Sequence, residues 1–246
     1  MNDFIQNNFK KKYVINLKKR SDRYQEFKER VSPHFDPNLI ERFDAIDGKN
    51  LDISTISEEF LKKSTNKGEI GCFLSHQQIW KLVIDDSSID DDDLILVFED
   101  DIFFTKENFS GKFIEAVSNF KNVNKKNKYL FLGGRFEPDF KPHLQRDMKY
   151  HWKKDLEEDV IYERIPCLPM KNPIFDRTTH VNIFTKSMAS FLYNITKTNE
   201  KMPSAFDKFL IYSHTKNSND IFFYDYFPHI FYSPINYKSD IQFSSK

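Results

Sequence analysis

Leu94-Ile95-Leu96-Val97-Phe98-Glu99-Asp100-Asp101 sets three carboxylates at the end of five consecutive large apolar residues. An apolar run without polar alternation is the pattern of a strand buried on both faces of a sheet, so it predicts the central strand of an α/β fold with a mainly parallel sheet flanked by helices. In open sheets of this kind the ligand crevice lies beyond the carboxyl ends of the strands. Carboxylates crowded there repel one another until a cation or hydrogen-bond donors offset their charge, and hard divalent cations take oxygen ligands. Along an extended segment Glu99 and Asp101 point one way and Asp100 the other. The competing reading is an acidic turn facing water. The buried run ahead of the triplet favours the ligand site.

On the N-terminal side, Tyr13-Val14-Ile15-Asn16-Leu17 predicts a strand and Ser21 a capped helix start, with Tyr24, Phe27 and Val31 on one face. Phe43-Asp44-Ala45-Ile46 reads as a short strand turned by Asp47-Gly48. A helix over about 68–84 puts Cys72, His76, Ile79 and Val83 on one face, with Trp80 in the core. On the C-terminal side, Tyr129-Leu130-Phe131-Leu132 is another buried strand, closed by Gly133-Gly134. Residues 180–184 predict a strand, 186–194 and 204–212 helices, and 221–232 terminal strand structure. Strand and helix alternating in this order argue for layered α/β architecture. Residues 137–177 carry five prolines and read as an irregular excursion, a lid or acceptor-binding region. The aspartates of 85–93 and the lysines of 121–128 read as solvated loops.

The 246 residues suit one large domain, 1–246, and 37 basic against 37 acidic residues leave no net field to attract nucleic acid. With 26 Phe and 6 Gly the core should be aromatic-rich. No stretch approaches the roughly 20 apolar residues of a transmembrane helix. The first residues lack the apolar core of a signal peptide, and QFSSK is not a retention signal, so a cytoplasmic location is expected. Cys72 and Cys167 lie far apart, and reduced thiols are the expected state, one disulfide being the alternative. Neither GxGxxG nor GxxxxGK[ST] occurs, which removes the main support for a Rossmann or P-loop nucleotide enzyme.

YVINLKKRSDR (13–23), FDAIDGK (43–49), KGEIGCFLSHQQIWKLV (67–83) and LVFEDDIFF (96–104) resemble, in order and spacing, the motifs of glycosyltransferase family 25. YLFLGGR (129–135) and the tail from 203 through SDI (239–241) match more loosely. The likeness is to the procollagen galactosyltransferase and bacterial lipooligosaccharide branches. The former are lumenal and carry a further N-terminal domain, whereas the latter are closer in size. The resemblance implies a GT-A-like nucleotide-sugar transferase fold, a UDP-sugar donor, Mn2+ or Mg2+, and inverting transfer of a hexose, galactose ahead of glucose. The acceptor would be a hydroxyl of a glycan or of a hydroxylysine-type protein. A catalytically silent relative, acting as a nucleotide- or glycan-binding or adhesion module, is the alternative.

Alternation and resemblance together assign the metal to Asp101 and Glu99 and turn Asp100 toward the ribose or donor sugar. The matched segments carry Asn16, Arg20, Asp22, Arg23, Asp47, Gly48, Lys67, His76 and Arg135 as donor-binding candidates. Arginine forks suit phosphate, and the Asn16 amide offers donor and acceptor to a uracil edge. Against these stand surface cations for Arg20 and Arg23, a loop cation for Arg135, a two-residue turn for Asp47-Gly48, and a satisfied core histidine for His76. The catalytic base is assigned to Asp207, in the first turn of its helix, with Asp240 in the SDI tail as second choice. Asp207 there would also favour the helix dipole without any catalytic role.

Overall fold

The computed structural model describes residues 1–52, 67–105, 108–134, 160–163, 179–198, 205–227 and 229–234. Arg135, Asp240, Cys167 and nearly all of the 137–177 excursion lie outside them. Ten strands are described in chain order: β1 (Lys11–Leu17), β2 (Glu41–Ala45), β3 (Leu94–Glu99), β4 (Phe103–Phe104), β5 (Lys128–Phe131), β6 (Gly133–Gly134), β7 (Val160–Glu163), β8 (Val181–Thr185), β9 (Phe222–Phe227) and β10 (Phe231–Tyr232). The helices are α1 (Asn2–Asn8), α2 (Ser21–Val31), α3 (Lys67–Asp85), α4 (Phe109–Lys121), α5 (Lys186–Thr198) and α6 (Phe206–Lys216).

Seven strands form one sheet in the order β2-β1-β3-β8-β5-β9-β7. β2, β1, β3, β5 and β9 run in one direction, whereas β8 and β7 run against them. The sheet is therefore mixed, with the expected parallel majority broken where β8 inserts antiparallel between β3 and β5. That insertion matters for the site, because it brings the start of β8 to the end of β3. Gly133-Gly134 does not simply close β5. It forms β6, in a small second sheet ordered β4-β10-β6.

The apolar run of β3 divides its side chains between two cores. Leu96 and Phe98 pack with Val14, Leu130 and Ile183 beneath Phe27 and Val31 of α2 and Phe113 and Phe120 of α4. Ile95 and Val97 pack on the other face with Tyr13, Tyr129 and Phe184 beneath Ile79 and Trp80 of α3, Leu192 of α5 and Phe209 of α6. Each such side chain contributes about 1.5–3 kcal/mol when fully buried. The lack of alternation in the sequence thus has its cause in helices covering both faces. Among the described residues, no helix is long and apolar enough to cross a membrane.

Two local details depart from expectation. Ser21 is the first residue of α2 rather than its cap; Arg20 holds the cap position, and its side chain makes no cap hydrogen bond. The two charge runs are largely exposed loops as expected, but they touch each other, and Lys128 is buried. Lys126 pairs with Asp91 at 2.7 Å, and buried Lys128 donates to the Phe120, Lys121 and Val123 carbonyls, closing the C-terminus of α4. The Phe120 and Val123 carbonyls also accept the Val123 and Lys125 amides, at 3.2 and 2.9 Å, so the ammonium adds to the backbone bonds that end the helix.

Candidate active site

Because odd-numbered residues of β3 face α3 and even-numbered ones face α2, the two sides of the carboxylate triplet have different neighbours. On the α3 side, Glu99 Oε1 accepts a 2.9 Å hydrogen bond from Thr179 Oγ1 and lies 3.4 Å from His76 Nε2. The His76 ring is held flat against Phe206, with centroids 3.7 Å apart and planes 8° from parallel. Register of β8 on β3, pairing Val181 with Phe98, sets His180 opposite Glu99, whose amide donates to the His180 carbonyl at 2.8 Å. His180 Nδ1 then lies 3.2 Å from Glu99 Oε2 and 3.1 Å from Asp101 Oδ1. These are ion-pair distances without hydrogen-bond alignment, and both Asp101 Oδ1 and His180 Nδ1 stay buried with no hydrogen-bond partner.

On the α2 side, Asp100 is bound from three directions. Its Oδ2 accepts from Asn16 Nδ2 at 2.6 Å, its Oδ1 pairs with the Arg23 guanidinium, and its carbonyl accepts from Arg30 Nη2 at 2.7 Å. Arg30 in turn lies over the Phe103 ring, 4.6 Å from its centroid. Arg23 also approaches Asp101 Oδ2, at 3.8 Å.

Burial sets the electrostatics here. It pushes the Asp100 carboxyl up to about 6, with Arg23 opposing and Asp101 adding to the rise. Burial also opposes ionisation of Glu99, yet His180 and then His76 hold that carboxyl well below its usual range. Burial likewise disfavours a charged His180, but Asp101 and Glu99 outweigh it and hold its pKa well above the usual histidine value. A cationic imidazolium between two carboxylates is what this much buried negative charge demands when nothing else offsets it. The Cys72 thiol is raised by burial and then by Glu99 and Asp207.

A solvent-open cleft of about 100 Å³ adjoins the triplet. Its walls are the end of β1 (Asn16, Leu17, Lys19), Arg23, the Ala45 to Lys49 segment, and Gly68, Cys72 and Ser75 of α3. The cleft exists because backbone meets backbone at its base: a β-carbon on Gly48 would fall on the Lys67 carbonyl, and one on Gly71 would meet Ile46 and Gly48. Only glycine permits that approach. Lys19 pairs with Asp47 at the cleft, and this hydrogen bond holds the Asp47 carboxyl low.

The structure thus brings Asn16, Arg23, Asp47, Gly48, Glu99, Asp100 and Asp101 to one cleft, as the sequence grouped them. His76 stands behind Glu99, 1% exposed. Asn16 spends its amide nitrogen on Asp100 and on the Arg20 carbonyl, so it supports the triplet from below; its Oδ1 is buried with no hydrogen-bond partner. Arg20 and Asp22 pair with each other at 2.8 Å on the exposed side of α2, and neither lines the cleft. Lys67 contributes its carbonyl to the packing on Gly48, while Asp207 sits in the first turn of α6, beside Phe206. Arg135 and Asp240 lie outside the described residues. Sequence reasoning missed His180, Thr179 and Arg30. The signal for His180 was its place immediately before an apolar strand, legible only once that strand is known to run against β3.

An α/β sheet flanked by helices, with carboxylates ending its central strand beside an open cleft, is the arrangement of a GT-A-like glycosyltransferase. The family profile described as glycosyltransferase family 25 (LPS biosynthesis protein) matches residues 9–210, and the chain belongs to that family. It is 29% identical over 133 residues to procollagen galactosyltransferase 2 of Homo sapiens, covering 49% of this chain and 20% of that protein. It is 34% identical over 120 residues to the procollagen lysyl hydroxylase and glycosyltransferase of Acanthamoeba polyphaga mimivirus, covering 41% and 13%. A third relative, inactive glycosyltransferase 25 family member 3 of Homo sapiens, is 32% identical over 116 residues, covering 42% and 18%. In each case the match spans a fifth or less of the relative's length.

Proposed function

We propose that the chain transfers a hexose from a UDP-sugar to an acceptor hydroxyl with inversion, in a reaction that depends on a divalent cation. The observation that carries this reading is the convergence of Glu99, Asp101 and His180: one donor atom from each lies within 4.8 Å of the others, at the edge of the cleft. The two carboxylates suit a hard cation such as Mn2+ or Mg2+, the single imidazole favours Mn2+ of the two, and two of the atoms are buried without hydrogen-bond partners. Glu99, Asp101 and His180 would hold the cation, His180 after losing its proton. Bound there, it supplies charge neutralisation to the diphosphate leaving group.

The chain's own residues do the rest. Asp100, fixed by Asn16 and Arg23, presents a rigid wall to the donor. Lys19 and Arg23 line the same cleft and complement phosphate charge. Asp207 takes the proton from the acceptor hydroxyl as its oxygen bonds to the anomeric carbon and UDP departs from the opposite face. Galactose is the proposed sugar, on the name of the human relative. The acceptor is a glycan or a hydroxylysine-type side chain.

The test is nucleotide release from a panel of UDP-hexoses in the presence of Mn2+, with glycan and hydroxylysyl-peptide acceptors. One donor should release UDP in an acceptor-dependent way. Asp207→Asn should then lower turnover by about a hundredfold or more at unchanged donor affinity. A variant keeping most of its turnover removes Asp207 from the mechanism. Likeness to a relative named inactive supports a second reading, a silent nucleotide- or glycan-binding module. That reading predicts UDP binding with no release from any donor.

A further inference from the structure

We infer that Cys72, His76 and Glu99 form a zinc-binding site, which shares Glu99 with the cluster of Glu99, Asp101 and His180. One donor atom from each of the three lies within 4.8 Å of the others. Cys72 and His76 are four residues apart on α3, which brings their side chains to one face a single turn apart. His76 Nε2 and Glu99 Oε1 are separated by 3.4 Å. Two ligands on a tetrahedral zinc, at bond lengths of about 2.0–2.1 Å, stand about this far apart.

The imidazole is also fixed in advance. Phe206 stacks on one of its faces, and the ring is almost wholly buried, so little side-chain freedom is lost when a metal arrives. Cys72 lines the cleft, which leaves a path for the ion and an open fourth position for water. Three protein ligands and one open position are the coordination of an accessible zinc rather than of a closed structural one.

Ligand chemistry separates this site from its neighbour. Thiolate and imidazole favour Zn2+ strongly over Mn2+ and Mg2+, whereas the Asp101 side offers carboxylates to a hard cation. Binding exchanges the Cys72 S–H bond for a Zn–S bond, and the proton leaves to solvent. Because Glu99 belongs to both clusters, a zinc ion here would sit one carboxylate away from the cation proposed above. The inference itself does not rest on that proposal.

The experiment is a Co2+ titration of the full chain, with neither donor nor acceptor present, followed by Zn2+ competition. A thiolate-to-cobalt charge-transfer band should appear, saturate at one equivalent and vanish when Zn2+ is added. Excess Mn2+ should leave it unchanged. Cys72→Ser, with its fold checked by circular dichroism, should lose the band and bind Zn2+ weaker by about a hundredfold or more. Cys167→Ser should keep both. A band that follows Cys167, or that survives in Cys72→Ser, overturns the assignment, as does its absence from the folded parent chain. Loss of Mn2+-dependent transfer would not bear on it, because the titration reads cobalt–thiolate bonding alone.

Discussion

Asp101→Asn is expected to lower turnover of the UDP-sugar donor by more than about a hundredfold and to remove its response to Mn2+. The substitution keeps the side-chain volume and deletes one negative charge, so it tests the charge rather than the shape. Asp101 Oδ1 is buried, 3.1 Å from His180 Nδ1, and has no hydrogen bond to lose. What it offers is an anionic oxygen aimed at the point where Glu99 and His180 also converge. Asp100→Asn makes the contrast, because Asp100 turns away toward Asn16 and Arg23. That variant should leave the Mn2+ titration near that of the parent and raise the donor KM. The check is UDP release against Mn2+ concentration for both variants. Matching Mn2+ responses would contradict the division of the triplet between two sides of β3.

Arg23→Met should destabilise the fold by about 3–5 kcal/mol, because it leaves a buried carboxylate without its cation. Arg23 and Asp100 are 5% and 9% exposed, so water offers little compensation. Asn16 alone would then face Asp100. Combining Arg23→Met with Asp100→Asn removes both charges and should restore much of the loss, which is the signature of a coupled pair. Denaturant midpoints of the two single variants and the double variant, measured without metal or nucleotide, give the coupling. Additive losses would mean that the pair contributes little and that each residue acts through other contacts.

How far the sequence could be read depended on the range of the interaction. The β3 run was legible because burial on both faces erases alternation within five adjacent residues. Asp100 turned opposite to its two neighbours as strand alternation would have it, although β3 ends at Glu99 and both aspartates lie in the turn beyond it. The face of α3 carrying Cys72, His76, Ile79 and Val83 was equally local. His180 was not legible, since it reaches Glu99 through an antiparallel pairing between segments about eighty residues apart, and nothing near either residue encodes that direction. Asn16 was read as a uracil contact from its chemistry. Its amide nitrogen is committed to Asp100 and the Arg20 carbonyl, a choice set by how β1 and β3 pair, while Asn16 still lines the cleft. Arg20 and Asp22 carry the family motif yet pair with each other at the start of α2, outside the lining of the cleft that Arg23 enters. The lysines of 121–128 looked like a solvated run, but the fold buries Lys128 to close α4.

The central claim is that Glu99, Asp101 and His180 hold a cation that joins the chain to a nucleotide diphosphate. Thermal unfolding of the parent chain with UDP, in Mn2+ and again in excess chelator, tests it most directly. Tm should rise with UDP and Mn2+ together, and little or not at all with UDP in chelator, as ligand linkage requires when binding needs the metal. An equal rise in chelator would contradict it.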